Sequence, residues 1–379
     1  MQSSEKSAID LQPSNQTNVT EKMNAYNEYI QPIFCNQGRS SVCHPHRIVY
    51  PFLAFLSIAC LPAHFFSCSK VVAPAYEKNM EAENSRSSVR LMMKGGDGLG
   101  RRSCDVLIYN ADKFGRLDSF THFDGSLEEM QVSSGEGKKT AVVICNAPEG
   151  SLQWEKILTM QSLSGLCFEL ETEDVSSPVL VGKADFEAGE SFSVMLSPLM
   201  ARICLQELSC DFRGTAYQFE KLTDARAYLT NVNADCSVTG EGRPGSRFIN
   251  NGGWDESDAV KFRSREILCR EIEGNVGMDV RQLDLELYCY PNLGSVEAFG
   301  QPFTRLVIEG CVKGHRWYWP ISINGLGDGG IRSNDSYSLK VRLRRSGTED
   351  PDFAIRMDRE ELVMEIEKWN EKENYVVAF

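Results

Sequence analysis

Tyr337-Ser-Leu-Lys-Val-Arg-Leu-Arg344 alternates without a break: Tyr337, Leu339, Val341 and Leu343 share one face, and Ser338, Lys340, Arg342 and Arg344 share the other. Successive side chains of an extended chain point to opposite sides, so this period of two predicts a half-buried antiparallel strand. The pattern recurs in Gln282-Leu-Asp-Leu-Glu-Leu-Tyr-Cys-Tyr290, where Leu283, Leu285, Leu287 and Cys289 oppose Asp284 and Glu286. Further strands are predicted at 89–94, 105–109, 140–145, 191–196, 201–205, 227–232, 305–310 and 317–323. Clusters of Gly, Asn, Asp and Pro separate them. Many short strands parted by turn residues favour a mainly β protein of sandwich architecture.

Two segments depart from this rhythm. Residues 151–163 place Trp154, Ile157, Leu158 and Gln161 at helical spacing. In 358–369, Asp358 and Glu361 have the look of a capping box, with Leu362, Ile366 and Trp369 on one helical face. Leu362, Met364 and Ile366 also alternate, so a closing strand is the rival reading there. A break near Ser197-Pro198 divides the pattern in two, although 195–205 also reads as one strand through the junction.

The 379-residue chain is 42% hydrophobic and 25% charged, enough for roughly two domains. Its formal charge is −13. Residues 1–67 hold four basic and four acidic residues, so the remainder carries the whole of that charge. Such a surface offers no basic patch for phosphates and argues against nucleic acid or anionic lipid headgroups as partners. Thirteen cysteines include no C-x-x-C pair, and the nine after residue 68 are scattered singly, so neither a zinc site nor a redox motif is indicated. Cys145, Cys204 and Cys289 lie in apolar runs and read as small buried hydrophobes. Only His122 and His315 follow residue 67, too few for a multi-histidine metal site and a poor basis for a Ser-His-Asp triad. No cofactor is implied.

The strongest apolar run is residues 48–66, after Arg47 and before Ser67-Cys68-Ser-Lys70. A basic residue, an apolar stretch, a small residue and then cysteine is the order of a bacterial lipoprotein signal. There the cysteine is acylated and becomes the first residue. Phe65 departs from the leucine usual three places before that cysteine, and Cys60 is a competing site. An uncleaved anchor and a core segment remain alternatives. Residues 1–45 are polar and unpatterned, so a start at Met23 is a further alternative.

Gly95-Gly-Asp-Gly-Leu-Gly100 and Gly325-Leu-Gly-Asp-Gly-Gly330 lack the Gly-Lys-Ser/Thr ending of a phosphate loop and read as turns. Trp317-Tyr-Trp319 would be core on at least one face, or else a sugar-stacking platform. The carboxylates of Asp255-Glu-Ser-Asp258 and Glu349-Asp-Pro-Asp352 read as solvated loop charge.

A sharper signal lies in the order of several short segments. These are Thr304-Arg-Leu-Val-Ile-Glu-Gly310, Trp317-Tyr-Trp-Pro-Ile-Ser-Ile-Asn324, Asn334-Asp-Ser-Tyr-Ser-Leu-Lys-Val-Arg-Leu343, Gly347-Thr-Glu-Asp-Pro351, and a closing segment from Leu362 to Trp369. Upstream stand Pro198-Leu-Met-Ala-Arg-Ile-Cys204, Arg226-Ala-Tyr-Leu-Thr-Asn-Val232 and Ser88-Val-Arg-Leu-Met-Met-Lys-Gly-Gly-Asp-Gly-Leu-Gly-Arg101. The series resembles the Bacteroidales fimbrillin family, the stalk, tip and anchor subunits of type V pili. The resemblance implies two transthyretin-like antiparallel β-sandwich domains after a lipoprotein signal and tether: leader 1–67, tether 68–87, sandwiches 88–198 and 199–379.

The resemblance also implies a non-enzymatic fimbrial subunit at the outer membrane or cell surface, lipidated at Cys68 and joined to other subunits by strand insertion. Adhesion to a host or bacterial surface ligand goes with that role. In the stalk subunits an arginine-specific protease cuts after the first strand. That maps here to Arg101 or Arg102, with Val89, Leu91 and Met93 facing inward on the displaced strand. A glycan-binding surface lipoprotein using Trp317 or Trp319 is the competing reading. If Cys68 carries the lipid, Cys68→Ala releases the protein from the membrane fraction or blocks its maturation. Unchanged fractionation with no lost acyl mass is the contrary result.

Overall fold

Nine described strands lie in residues 87–198, and all but the sixth build two layers. They are β1 (Ser87–Lys94), β2 (Ser103–Asn110), β3 (Leu117–Asp124), β4 (Glu129–Ser134), β5 (Lys138–Cys145), β6 (Cys167–Glu169), β7 (Leu180–Glu187), β8 (Phe192–Met195) and β9 (Ser197–Pro198). One layer has the order β4-β1-β8, in which β1 runs antiparallel to β4 and parallel to β8. The other is the antiparallel sheet β3-β2-β5-β7-β9. The computed structural model describes residues 87–94, 99–125, 129–148, 150, 153–240, 247–326, 330–353, 355–357, 361–369 and 371–377, all within one unit spanning 74–379. The leader 1–67, Cys68, the tether to residue 86, and 95–98 of the first Gly-rich turn lie outside the described residues.

β2 and β5 read as unbroken apolar runs because both faces of their sheet are covered. Cys104, Val106 and Ile108, with Ala141, Val143 and Cys145, pack toward Val89, Leu91, Met130, Val132, Phe192 and Val194 of the opposing layer. Leu107, Tyr109, Val142 and Ile144 point the other way, into a second core shared with Leu199, Met200 and the later strands. Gly182 lets β7 pass close to β8: a Cβ there would sit 2.4 Å from the Met195 carbonyl oxygen. Cys145 departs from its reading as a lone hydrophobe. It faces Cys104 in direct register, and the two form a disulfide with Cα atoms 4.0 Å apart. Their separation of 41 residues hid the pair, since only the pairing of β2 with β5 makes them neighbours. Cys204 and Cys289 are free and buried, and burial raises their thiols to about 11 and about 12.

The remaining strands are β10 (Ala201–Cys210), β11 (Thr223–Thr230), β12 (Val232–Asn233), β13 (Asp235–Ser237), β14 (Phe248–Ile249), β15 (Cys269–Ile272), β16 (Arg281–Cys289), β17 (Arg305–Val312), β18 (His315–Ser322), β19 (Asp335–Leu343), β20 (Leu362–Lys368) and β21 (Glu371–Val377). The sheets β16-β10-β19-β20-β21 and β15-β11-β17-β18 face each other over Ile203, Leu205, Leu339, Val341 and Met364 on one side and Ala227, Leu229, Leu306, Ile308 and Trp319 on the other. The turn from β17 to β18 is Lys313-Gly314, both at positive φ (54° and 80°), the two-residue geometry that matches strand twist. Among the described strands, only β6 with β13 crosses between the earlier and later groups.

The expected helix over 151–163 is not formed. Trp154–Lys156 makes one 3₁₀ turn and α1 spans only Met160–Ser164. Between them Leu158 O accepts from Leu117 N at 2.9 Å and Met160 N donates to Gly115 O at 2.9 Å, so pairing with a neighbouring segment overrides the local pattern. At the C-terminal end the alternation prevails over the capping box: β20 pairs with β19 from Val341↔Leu362 to Asp335↔Lys368.

Leu339, Val341 and Leu343 are buried as the opening stretch requires, while Arg342 is exposed. Leu339→Ala or Leu343→Ala is expected to cost about 2–5 kcal/mol in urea unfolding, and Lys340→Ala or Arg342→Ala to stay within about 0.5 kcal/mol. Equal losses at all positions would mean that the register is wrong.

Candidate strand-exchange site

β1 is the strand on which an exchange would turn. Residues 87–92 pair with β4 and residues 91–94 with β8, so both edges of the strand are occupied. Val89 and Leu91 are 1% and 0% exposed, whereas Ser88 and Arg90 face solvent. Met93 is in register with Val194; its side chain lies outside the described residues. Burying two such aliphatic side chains stabilises by roughly 1.5–3 kcal/mol each. Loss of β1 leaves Met130, Val132, Phe192 and Val194 lining an apolar groove, with unpaired main-chain groups on β4 and β8.

The chain leaves β1 through a segment whose far end is anchored. Gly100 N donates to Ser176 O at 3.3 Å, and Asn146 Nδ2 donates to Gly100 O at 2.7 Å and to Pro178 O at 2.8 Å. Arg102 N donates to Asn146 Oδ1 at 2.8 Å, and Arg102 O accepts from Gly125 N at 2.6 Å. The Arg102 guanidinium is paired with Asp174. Asn146 stands at φ 61°, a left-handed position that asparagine tolerates better than most residues. Arg101 is half-buried, and its Nη1 is buried without a hydrogen-bond partner. Neither Asn146 nor Asp174 stands out in the sequence, where each is one polar loop residue among many.

Arg102, Asn146, Glu173, Asp174, Val179 and Arg263 line a cavity of about 240 Å³. Glu173 accepts from Val179 N at 3.0 Å and from Tyr290 Oη at 2.9 Å, linking this corner to the end of β16. Burial raises its carboxyl to about 7. Hydrogen bonds from Ser176 first, and then Arg102, draw Asp174 down to about 2.

The other residues singled out from sequence serve the fold. Trp319 is 1% exposed and donates from Nε1 to Arg345 O, and Trp317 is half-buried with its ring edge-on to Tyr217, so neither makes an open stacking platform. Asp255 caps the short helix α2 (Glu256–Ala259), and Asp352 holds Arg305 at 2.8 Å. Both ring nitrogens of His122 lie on carboxylates, 2.7 Å from Asp105 and 3.3 Å from Asp124. Among the described residues, no group of three or more His, Cys, Asp or Glu could hold a metal ion.

No protein-family model and no curated protein matches the sequence. Solved structures do match the fold. A candidate cell adhesion protein from Parabacteroides distasonis aligns at TM-score 0.56 and 14% identity, over 75% of this chain and 99% of that one. Another from Bacteroides eggerthii aligns at TM-score 0.55 and 16% identity, over 75% and 96%. A fimbrilin from Porphyromonas gingivalis aligns at TM-score 0.54 and 12% identity, over 76% and 98%. The chain shares the fimbrilin fold. At these identities the likeness concerns architecture, and the architecture is the one that the resemblance implied.

The raised carboxyl of Glu173 gives a pH signature. An acid whose folded pKa lies above its ordinary 4.5 contributes stability below that value and loses it as pH climbs through about 7. Urea unfolding is expected to show stability falling by on the order of 3 kcal/mol at most between those limits, and Glu173→Gln to flatten the fall. Asp105, raised from 3.8 by burial, adds a fall in the same sense, so Glu173→Gln flattens the slope without removing it; His122, raised by its hydrogen bond to Asp105, adds a loss only above 6.5, and Asp174 acts in the opposite sense only below 3.8. A slope unchanged in Glu173→Gln would exclude this origin.

Proposed function

We propose that the protein is a structural subunit of cell-surface fimbriae, exported as an outer-membrane lipoprotein and joined to its neighbours by strand donation, with a role in adhesion. The observation that carries this reading is the place of β1: a two-sided strand over an apolar core, joined to the next strand by a short segment holding Arg101-Arg102. Release of such a strand opens a groove that an extended segment from another subunit fills with both main-chain hydrogen bonds and alternate side chains. The fold shared with a fimbrilin and with candidate adhesion proteins supports the same reading. So does the Cys104–Cys145 disulfide, which suits an oxidising compartment outside the cytoplasm.

Within this reading the chain carries two sandwiches, 88–198 and 199–379, a division supported by the sparse pairing of strands across that point. Membrane attachment is assigned to a lipid on Cys68. The role is non-enzymatic. The glycan-binding alternative is left without its platform, since Trp319 is enclosed and Trp317 packs against Tyr217.

Purified protein treated with an arginine-specific endopeptidase is expected to lose β1 and then form detergent-resistant polymers whose length grows with concentration. A chain that keeps its lipidated amino terminus within assembled fimbriae is an anchor instead. Cut protein that stays monomeric, with its groove unfilled, would exclude strand donation.

A further inference from the structure

A peptide bond in a protease cleft lies in an extended segment whose own amide and carbonyl groups pair with the enzyme. Around Arg101-Arg102 those groups are already taken: Gly100 O by Asn146 Nδ2, Arg102 N by Asn146 Oδ1, and Arg102 O by Gly125 N. Asn146 is itself fixed by its bond to Pro178 O, and the guanidinium of Arg102 by Asp174. A single side chain thus spans the junction, holding Gly100 on the side that would depart and Arg102 on the side that would stay.

We propose that Asn146 and Asp174 form a latch that withholds the Arg101–Arg102 bond from proteolysis until it opens locally, and that then retains Arg102 as the new amino terminus. This rests on the strand-release reading above and adds its control. Hydrolysis consumes one water, leaving a carboxylate on departing Arg101 and an α-ammonium on Arg102. The nitrogen that becomes this ammonium already lies 2.8 Å from Asn146 Oδ1, and the Asp174 carboxylate lines the same cavity. A cut one residue later would carry off the cation bound to Asp174, leaving Arg263 Nη1 at 3.9 Å. Among the described residues no such ion pair holds Arg101, whose Nη1 is buried without a hydrogen-bond partner. The geometry therefore selects the bond between the two arginines over the one after them.

The test is limited digestion of the full chain by an arginine-specific endopeptidase, followed by amino-terminal sequencing. Asn146→Gly deletes the latch and keeps the left-handed backbone available. Asp174→Asn removes the charge that holds Arg102 and keeps one oxygen to accept from Ser176. Each variant is expected to be cut about tenfold faster than wild type, because cleavage follows the population of the locally open form. Wild-type product is expected to begin at Arg102. Equal rates for all three proteins, no cut in any of them, or a product beginning at Ser103 overturns the latch. So does acceleration shared by distant arginines such as Arg265 and Arg281, which would signal global unfolding. Polymer formation is scored separately: a latch that behaves as described on protein that never polymerises sinks strand donation alone.

Discussion

A strand hydrogen-bonded on both edges cannot leave a sheet without orphaning main-chain groups on two neighbours, and β1 is in that position, held by β4 along 87–92 and by β8 along 91–94. β4 and β8 do not pair with each other, so the layer they form exists only while β1 stands between them. The facing sheet is differently placed. Its other side is packed into the second core through Leu107, Tyr109, Val142 and Ile144, and Cys104–Cys145 ties two of its strands covalently. One layer of the sandwich therefore depends on a single segment, while the layer opposite is secured independently. A half-open sandwich that keeps its shape requires this asymmetry.

The later strands repeat the arrangement. β10 runs antiparallel to β16 and parallel to β19, as β1 does between β4 and β8. The surroundings differ. β10 follows β9 almost directly, with Leu199 and Met200 buried in between, and β20 and β21 extend the sheet beyond β19. An equivalent strand is thus built into the core at one place and joined through an arginine pair at the other.

Strands with strict alternation or unbroken apolar runs were legible in the sequence: Leu339, Val341 and Leu343 are buried as their spacing requires. The same logic passed over β3, β4 and β7, whose apolar residues are sparse because their outer faces meet solvent or neighbouring polar groups. Those include the partner that covers one edge of β1, so the sequence indicates the strand but not its two-sided bonding. Val89 and Leu91 were legible as inward-facing positions of β1, and the arginine pair stands in the sequence itself. Asn146 and Asp174 were not legible, because their roles come from contacts across 44 and 72 residues that exist only once the strands have paired. The false helix at 151–163 and the hidden disulfide share this cause: tertiary pairing decided what local spacing left undetermined.

The disulfide also gives the chain a mechanical property. Tension applied along the polypeptide passes directly from Cys104 to Cys145 through the sulfur bridge, and the chain between these two positions, 41 apart in sequence and including β3 and β4, carries none of it. At about 3.4 Å per extended residue, roughly 140 Å of contour is kept out of any force-driven lengthening. Under load, β4 can still lose its partner β1, but the span that contains it cannot be drawn out. A stretched chain with this bridge intact would lengthen at its ends while keeping a closed loop beneath β1.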